Sequence, residues 1–177
     1  MADKPFTLVI FTSMSGHTEA LARALAEGAG SLRNTTAEVK RARDVTPDDI
    51  GRASALAFGS PTYFSYMSGE LKMLFDEFLP YKEKFQGKPV IAFATGEGGQ
   101  SKCIESIEGV LEAFGVDMVH RSDILNAGLS VQGMPDQKTK NQAVEVGKKL
   151  ADAGVCFACR KATEEQGVTI GGEKPTM

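Results

Sequence analysis

The sequence predicts an α/β domain: a parallel sheet of five strands covered by helices on both faces. Three observations carry this. Apolar runs at 6–11, 53–58 and 88–94 are continuous rather than alternating, as expected of strands buried on both sides. Stretches of helical period separate them, and strands that alternate with helices pair in parallel. Gly, Ser and Thr cluster just after the first, third and fourth strands, and in such sheets ligands bind beyond the carboxyl ends.

Along the chain, the strand at 6–11 leads into a helix with Leu21, Ala24, Leu25 and Leu32 on one stripe. Residues 36–40 alternate and form a weaker strand. Thr46-Pro47-Asp48-Asp49 starts a helix, with a Thr cap, Pro in the first position and acids in the first turn. The strand at 53–58 stops at Gly59. Leu71, Leu74, Phe75 and Phe78 mark the third helix, which Pro80 ends. The strand at 88–94 is followed by a helix carrying Ile104, Ile107, Leu111 and Phe114, closed by Gly115. A fifth strand lies within 116–124. A Gly/Pro-containing loop follows, then a last helix at 137–153. Residues 1–155 form the domain, and 156–177 an extended or loosely ordered tail.

Composition excludes several classes. With 177 residues, the chain has room for one domain. Its net charge of -3 provides no basic field for nucleic acid or an anionic membrane. No run of about 18 apolar residues suits a membrane span, and no signal-peptide pattern opens the chain, so a cytoplasmic protein is expected. Cys103, Cys156 and Cys159 are an odd count and do not form a secreted disulfide framework. Cys156-x-x-Cys159 closes a helix rather than opening one, which sets it apart from redox motifs.

Three loops carry the chemistry. The first, Thr12-Ser13-Met14-Ser15-Gly16-His17-Thr18, offers hydroxyls, free N–H groups and the positive end of a helix dipole. That suits a phosphate, and it also suits a plain helix cap. It matches neither G-x-x-x-x-G-K-[ST] nor G-x-G-x-x-G, which removes a triphosphate loop and a dinucleotide turn. The lack of Lys or Arg within it fits a monophosphate held by neutral donors. The second, Gly59 to Gly69, sets Tyr63, Phe64 and Tyr66 at a strand end, facing a flat aromatic ligand or wedged against a neighbouring helix. In the third, Thr95-Gly96-Glu97-Gly98-Gly99-Gln100-Ser101, three glycines bring the backbone close to a ligand or supply positive φ.

In this pattern Ser13-x-Ser15-Gly16-x-Thr18 resembles the phosphate loop of flavodoxins, [ST]-x-[ST]-G-x-T. Gly59-Ser60-Pro61-Thr62-Tyr63-Phe64-x-x-Met67-Ser68 is similar to the second flavin loop of flavodoxin-like NAD(P)H:quinone reductases, and Thr95-Gly96-x-Gly98-Gly99 to their third. The resemblance covers residues 5–155. It implies a flavodoxin-like three-layer sandwich with strand order 2-1-3-4-5, and FMN as cofactor. By position, Ser13, Met14, Ser15, Gly16, His17 and Thr18 would hold the FMN phosphate. Pro61, Thr62, Tyr63, Phe64 and Ser65 would line the ring. Thr95, Gly96, Glu97, Gly98, Gly99 and Gln100 would meet its pyrimidine edge, largely through backbone N–H groups, with Glu97 facing outward.

Against the carrier flavodoxins, this chain lacks Trp, has no aromatic in 95–101, and places Phe64 where carriers commonly have a Gly whose peptide turns toward the flavin. These features imply an open flavin face. The expectation is an FMN-dependent NAD(P)H reductase passing electrons to a quinone or other small acceptor; the alternative is a flavodoxin-type carrier between redox proteins. Against the reductases, Phe114 stands where they carry a His near the ring, and their insertion between the second and third strands is missing. The resemblance is compatible with a homodimer whose interface lies near the flavin edge. Lys40-Arg41-Ala42-Arg43 offers cations for the 2′-phosphate of NADPH, or simply a solvated strand end.

Overall fold

The apolar runs become the centre of one sheet. The computed structural model describes residues 4–119 and 129–165. In it, β1 (Phe6–Phe11), β3 (Ala55–Pro61) and β4 (Pro89–Gly96) are almost wholly buried, while the alternating β2 (Thr36–Arg41) lies at an edge. Around them pack α1 (His17–Gly30), α2 (Pro47–Arg52), α3 (Gly69–Phe78), α4 (Gln100–Ala113) and α5 (Gln137–Glu165). Two 3-10 segments, Ala42–Asp44 and Leu79–Phe85, continue β2 and α3. The strand order is β2-β1-β3-β4-β5, all in parallel, as expected from the sequence.

Three boundaries differ from the sequence reading. β3 runs through Pro61 instead of stopping at Phe58, because Ser60 and Pro61 stay in register with Ala94 and Thr95. The fifth strand position is filled in two pieces. β5 (Asp117–Met118) pairs with the start of β4, and β6 (Ser130–Gln132), expected to be loop, pairs with Ala94–Gly96 at its end. The rest of the expected fifth strand, 120–124, lies outside the described residues. Finally, α5 does not stop at Ala153. Gly154 is buried against the sheet, where a Cβ would come 3.0 Å from that of Ala55, so it is a packing glycine within the helix. Residues 156–165 are therefore helical rather than an extended tail; 166–177 lie outside the described residues.

Helices α1 and α5 meet through glycines. A Cβ on Gly28 would run into the backbone of Val144, and one on Gly147 into the Leu25 carbonyl, so each helix presses its backbone into the other. On the other face, Phe58, Phe75, Phe85 and Phe114 form a ring cluster, with Phe85 and Phe114 edge-to-face at 4.8 Å. Phe114 is thus a core residue, not one beside a ligand.

The short α2 is tied at both ends. Thr46 and Asp49 form a reciprocal capping box, and the Asp49 carboxylate also accepts from Lys40 at 2.9 Å and Arg52 at 3.0 Å. At the other end, the buried Lys88 ammonium donates to the carbonyls of Ile50 and Gly51. Burial lowers Lys88 to about 7, with Lys161 and Lys84 adding to the effect. Burial alone would raise the Asp49 carboxyl, but hydrogen bonds from Lys40, Thr46 and Arg52 outweigh it and hold the group well below the usual carboxylate range.

This packing has measurable consequences. Gly147→Ala should destabilise the fold by ~2 kcal/mol through overpacking, while Gly109→Ala, on the exposed face of α4 with open space around it, should stabilise by ~0.5–1 kcal/mol. Urea midpoints at constant m-value measure both. Asp49→Asn should cost ~2 kcal/mol at neutral pH. Because the folded-state pKa is depressed, Asp49 stabilises above its unfolded value near ~3.9 and that contribution fades as pH falls through the folded value. The urea midpoints of the wild type and of the Asp49→Asn variant should therefore converge only on acidification below pH ~4; a gap unchanged down to pH ~2 refutes the charge-based account.

Candidate cofactor site

The strands bring the three sequence-predicted loops to one edge. Register pairs Phe11 with Gly59 and Pro61 with Thr95, so the loops after β1, β3 and β4 leave side by side. Gly59 permits this close pairing, since a Cβ there would collide with the Phe93 ring.

The first loop turns on itself. The Gly16 N–H donates to Ser13 Oγ at 3.0 Å, and Gly16 enters α1 in the left-handed region, φ 87°. A Cβ at Gly16 would meet no atom within 4 Å. Met14 and Ser15 are exposed, and His17 is half-buried at the first position of α1. The first N–H groups of this helix have no partner within it, and its N-cap has no side-chain acceptor. Such a terminus is an anion seat.

Thr18 also has a structural partner. Its hydroxyl is buried and shares a 2.8 Å hydrogen bond with Thr95 Oγ1. The first and third loops are thereby tied together. A second hydroxyl pair, Thr12 Oγ1 with Ser68 Oγ at 2.7 Å, ties the first to the second, and Ser60 Oγ accepts from the Ser68 N–H at 2.8 Å. Thr12, Ser60 and Ser68 lie in the loops and motifs singled out from the sequence but were not assigned to the cofactor; their pairing with one another is a tertiary feature that no motif encodes. Arg41 was also missed as a loop residue. It donates to the Ser13 carbonyl at 3.2 Å while paired with Glu19 at 3.2 Å, so a neutralised cation braces the first loop from outside.

The second loop is a tight turn. Tyr63 and Tyr66 exchange backbone hydrogen bonds of 3.0 and 2.9 Å around Phe64 and Ser65, which have φ of 52° and 61°. Positive φ at both central positions is the geometry of a type I′ turn, usually given to Asn or Gly. Pro61 and Thr62 lie half-buried at its base, where the Thr62 N–H donates to the Thr95 carbonyl at 2.8 Å.

The third loop packs against the second. A Cβ at Gly96 would stand 2.8 Å from Thr62 Cβ, and one at Gly99, φ 77°, would strike the Ser65 hydroxyl. Gly98 faces open space and Glu97 is exposed. The Gln100 side chain is committed to the scaffold, donating to the Gly96 and Val131 carbonyls at 2.5 and 3.3 Å. Its backbone N–H, at the start of α4, is left for the loop. Behind these loops, Cys103 is fully buried and directs its thiol to the Pro61 carbonyl at 3.9 Å; burial pushes that thiol up.

Fold and loops together define a parallel α/β module in which a helix N-terminus with free backbone N–H groups and two further loops meet at one edge of the sheet. Comparison with known proteins agrees. Residues 9–147 match the flavodoxin family model. The flavodoxin of Aquifex aeolicus is 31% identical over 156 residues, spanning 82% of this chain and 84% of that protein. The structure of a flavodoxin from the domain Archaea superposes with a TM-score of 0.75 at 24% identity, covering 85% of this chain and 99% of the other. The flavodiiron protein of Giardia intestinalis shares the fold over 88% of this chain, which corresponds to 37% of its own, with a TM-score of 0.75 at 20% identity. The chain belongs to the flavodoxin family, and membership implies FMN.

The residues fit that cofactor. The open space at Gly16 and Gly98, the unpartnered N–H groups at the start of α1 and the buried, unpartnered hydroxyl of Thr62 form a cradle with unspent hydrogen-bonding capacity. Ser13 to Thr18 would hold the phosphate, Pro61 to Ser65 the ring and Thr95 to Gln100 its polar edge. Backbone N–H groups aimed at an edge where negative charge develops stabilise that charge.

Gly98→Ala should leave the apoprotein within ~0.5 kcal/mol of wild type yet weaken FMN binding by roughly ten-fold, because its Cβ enters the cradle. Gly99→Ala should lower the stability of the apoprotein itself by ~1–2 kcal/mol, through positive φ and the Ser65 contact. Urea denaturation and quenching of FMN fluorescence separate the two effects.

Proposed function

We propose that this chain is an electron carrier, with FMN seated by the three loops and electrons exchanged with redox proteins at the exposed loop edge. The observation that supports a single cofactor seat is the joining of all three loops by the Thr18–Thr95 and Thr12–Ser68 hydroxyl pairs, and membership of the flavodoxin family supports the carrier role. FMN supplies the electron chemistry when bound, and the protein sets its environment and access.

The carrier reading is supported over the NAD(P)H-dependent reductase expected from sequence by two findings. The relatives at hand are flavodoxins, and they lend no support to NAD(P)H. Of the cations considered for a 2′-phosphate, Lys40 is held by Asp49 and Glu38 and Arg41 by Glu19 and the Ser13 carbonyl, while the exposed Arg43 makes only a 4.0 Å contact with Asp44. Among the described residues, no helix is long and apolar enough to cross a membrane. Partners on the electron-donor and acceptor sides are proteins in this reading rather than a quinone.

Anaerobic reduction of the FMN-loaded protein tests it. Dithionite should bleach the flavin band near ~450 nm, while equimolar NADH or NADPH should leave it intact for roughly half an hour. Bleaching by either nucleotide within minutes overturns the carrier reading in favour of the reductase.

A further inference from the structure

The extension of α5 past Ala153 walls a cleft at the amino-terminal edge of the sheet, the end opposite the three loops. Phe157, Lys161 and Glu164 follow one another at helical spacing and so share one face. That face borders a space of about 1020 Å³, closed on its other sides by the end of α2, the 3-10 segment Leu79–Phe85 and the residues leading into β4. A space of this size accommodates a small molecule.

Its floor is a buried cation. Lys88, 3% exposed, donates to the carbonyls of Ile50 and Gly51, and the third N–H of its ammonium has no partner among the described residues. Lys84 comes to the same place, its ammonium 3.4 Å from where a Cβ on Gly51 would stand. Burial first, and then the charges of Lys161 and Lys84, lower Lys88, so both of the charges that weigh on this group are positive.

The remaining charges do not neutralise it. Lys84 reaches Asp48 only at 3.7 Å, and Arg160 and Lys161 make no ion pair among the described residues. Arg52 is committed to Asp49 and to the face of the Phe6 ring. Asp48, Glu83, Asp117 and Glu164 also line the cleft, but all four are exposed. Water and salt screen carboxylates at such a rim, while the buried cation at the floor is screened far less.

Ammonium groups that converge without a buried counter-charge repel one another, and an anion of several charges placed among them relieves that cost. Two linked phosphates present enough oxygens to meet more than one ammonium at once. The half-buried Phe157 ring, 3.7 Å from the Cβ position of Gly87, adds an aromatic face beside them.

We propose that this cleft binds a diphosphate group, free or carried by a nucleoside, with Lys84, Lys88 and Lys161 as its cations and Phe157 as the wall for a base. The inference does not rest on the electron-carrier reading, since the cleft and the cofactor loops occupy opposite ends of the sheet. A single phosphate, that of FMN included, meets fewer of these cations and binds far more weakly.

Amide chemical-shift titration of the ¹⁵N-labelled, FMN-loaded protein tests this, with metal-free pyrophosphate, ADP and AMP as probes in about 0.15 M NaCl. Pyrophosphate or ADP should move the amides of Gly51, Gly87, Lys88 and Lys161 together and saturate with a Kd below about 1 mM, and AMP should bind at least roughly ten-fold more weakly. The three loops should stay in place. Lys84→Ala and Lys161→Ala should each weaken binding by roughly five-fold or more, whereas Lys138→Ala, which removes the same charge at the other end of α5, should not. Phe157→Leu separates the two sources: weaker ADP binding with pyrophosphate unchanged assigns a nucleoside carrier, and no change in either assigns the free diphosphate. Absence of saturation by about 10 mM, or equal binding of AMP, overturns the proposal. Equal weakening by Lys138→Ala overturns it as diffuse attraction to surface charge, and shifts centred on the loops overturn it by placing the phosphates in the cofactor seat.

Discussion

Everything at the site depends on the register of three parallel strands. β1, β3 and β4 are paired so that their carboxyl ends stop together, with Phe11 beside Gly59 and Pro61 beside Thr95. A shift of one residue would reverse the faces of every side chain in a strand. It would also separate Thr18 from Thr95 and Thr12 from Ser68, and the three loops would no longer form one cradle. The glycine at position 59 is part of the same constraint, since the Phe93 ring of the neighbouring strand occupies the place its Cβ would take.

From that register the chemistry follows with few side chains. Buried hydroxyls hold the loops to one another, glycines leave room at Gly16 and Gly98, and helix termini leave N–H groups without partners. Such a site offers backbone dipoles that are fixed before a ligand arrives, and a fixed polar wall needs little reorganisation when charge develops against it. With formal charge absent from the loops, Glu97 excepted, neutral donors are left to receive a phosphate.

Much of this was legible in the sequence, for physical reasons. Strands buried on both faces must be apolar throughout, so β1, β3 and β4 announced themselves, and a sheet of alternating elements directed attention to the loops beyond their ends. What escaped depended on distant neighbours. Ser60 and Pro61 read as a turn, yet pairing with Ala94 and Thr95 keeps them in β3. Gly154 read as the end of a helix, and tertiary contact with Ala55 makes it an interior packing position of α5. The hydroxyl pair of Thr18 with Thr95, 77 residues apart, had no local signal. The left-handed turn at Phe64-Ser65 carried none of the Gly or Asn that normally signals one.

The central claim is that FMN is held by these three loops as one unit. Amide chemical-shift mapping of ¹⁵N-labelled apoprotein during titration with FMN tests it most directly. The account requires the amides of Met14 to Thr18, Tyr63 to Ser65 and Gly96 to Gln100 to shift together, with one apparent affinity, while those at the opposite edge of the sheet, such as Gly51 and Gly87, stay in place. Shifts confined to one loop, or centred on the opposite edge, would contradict it.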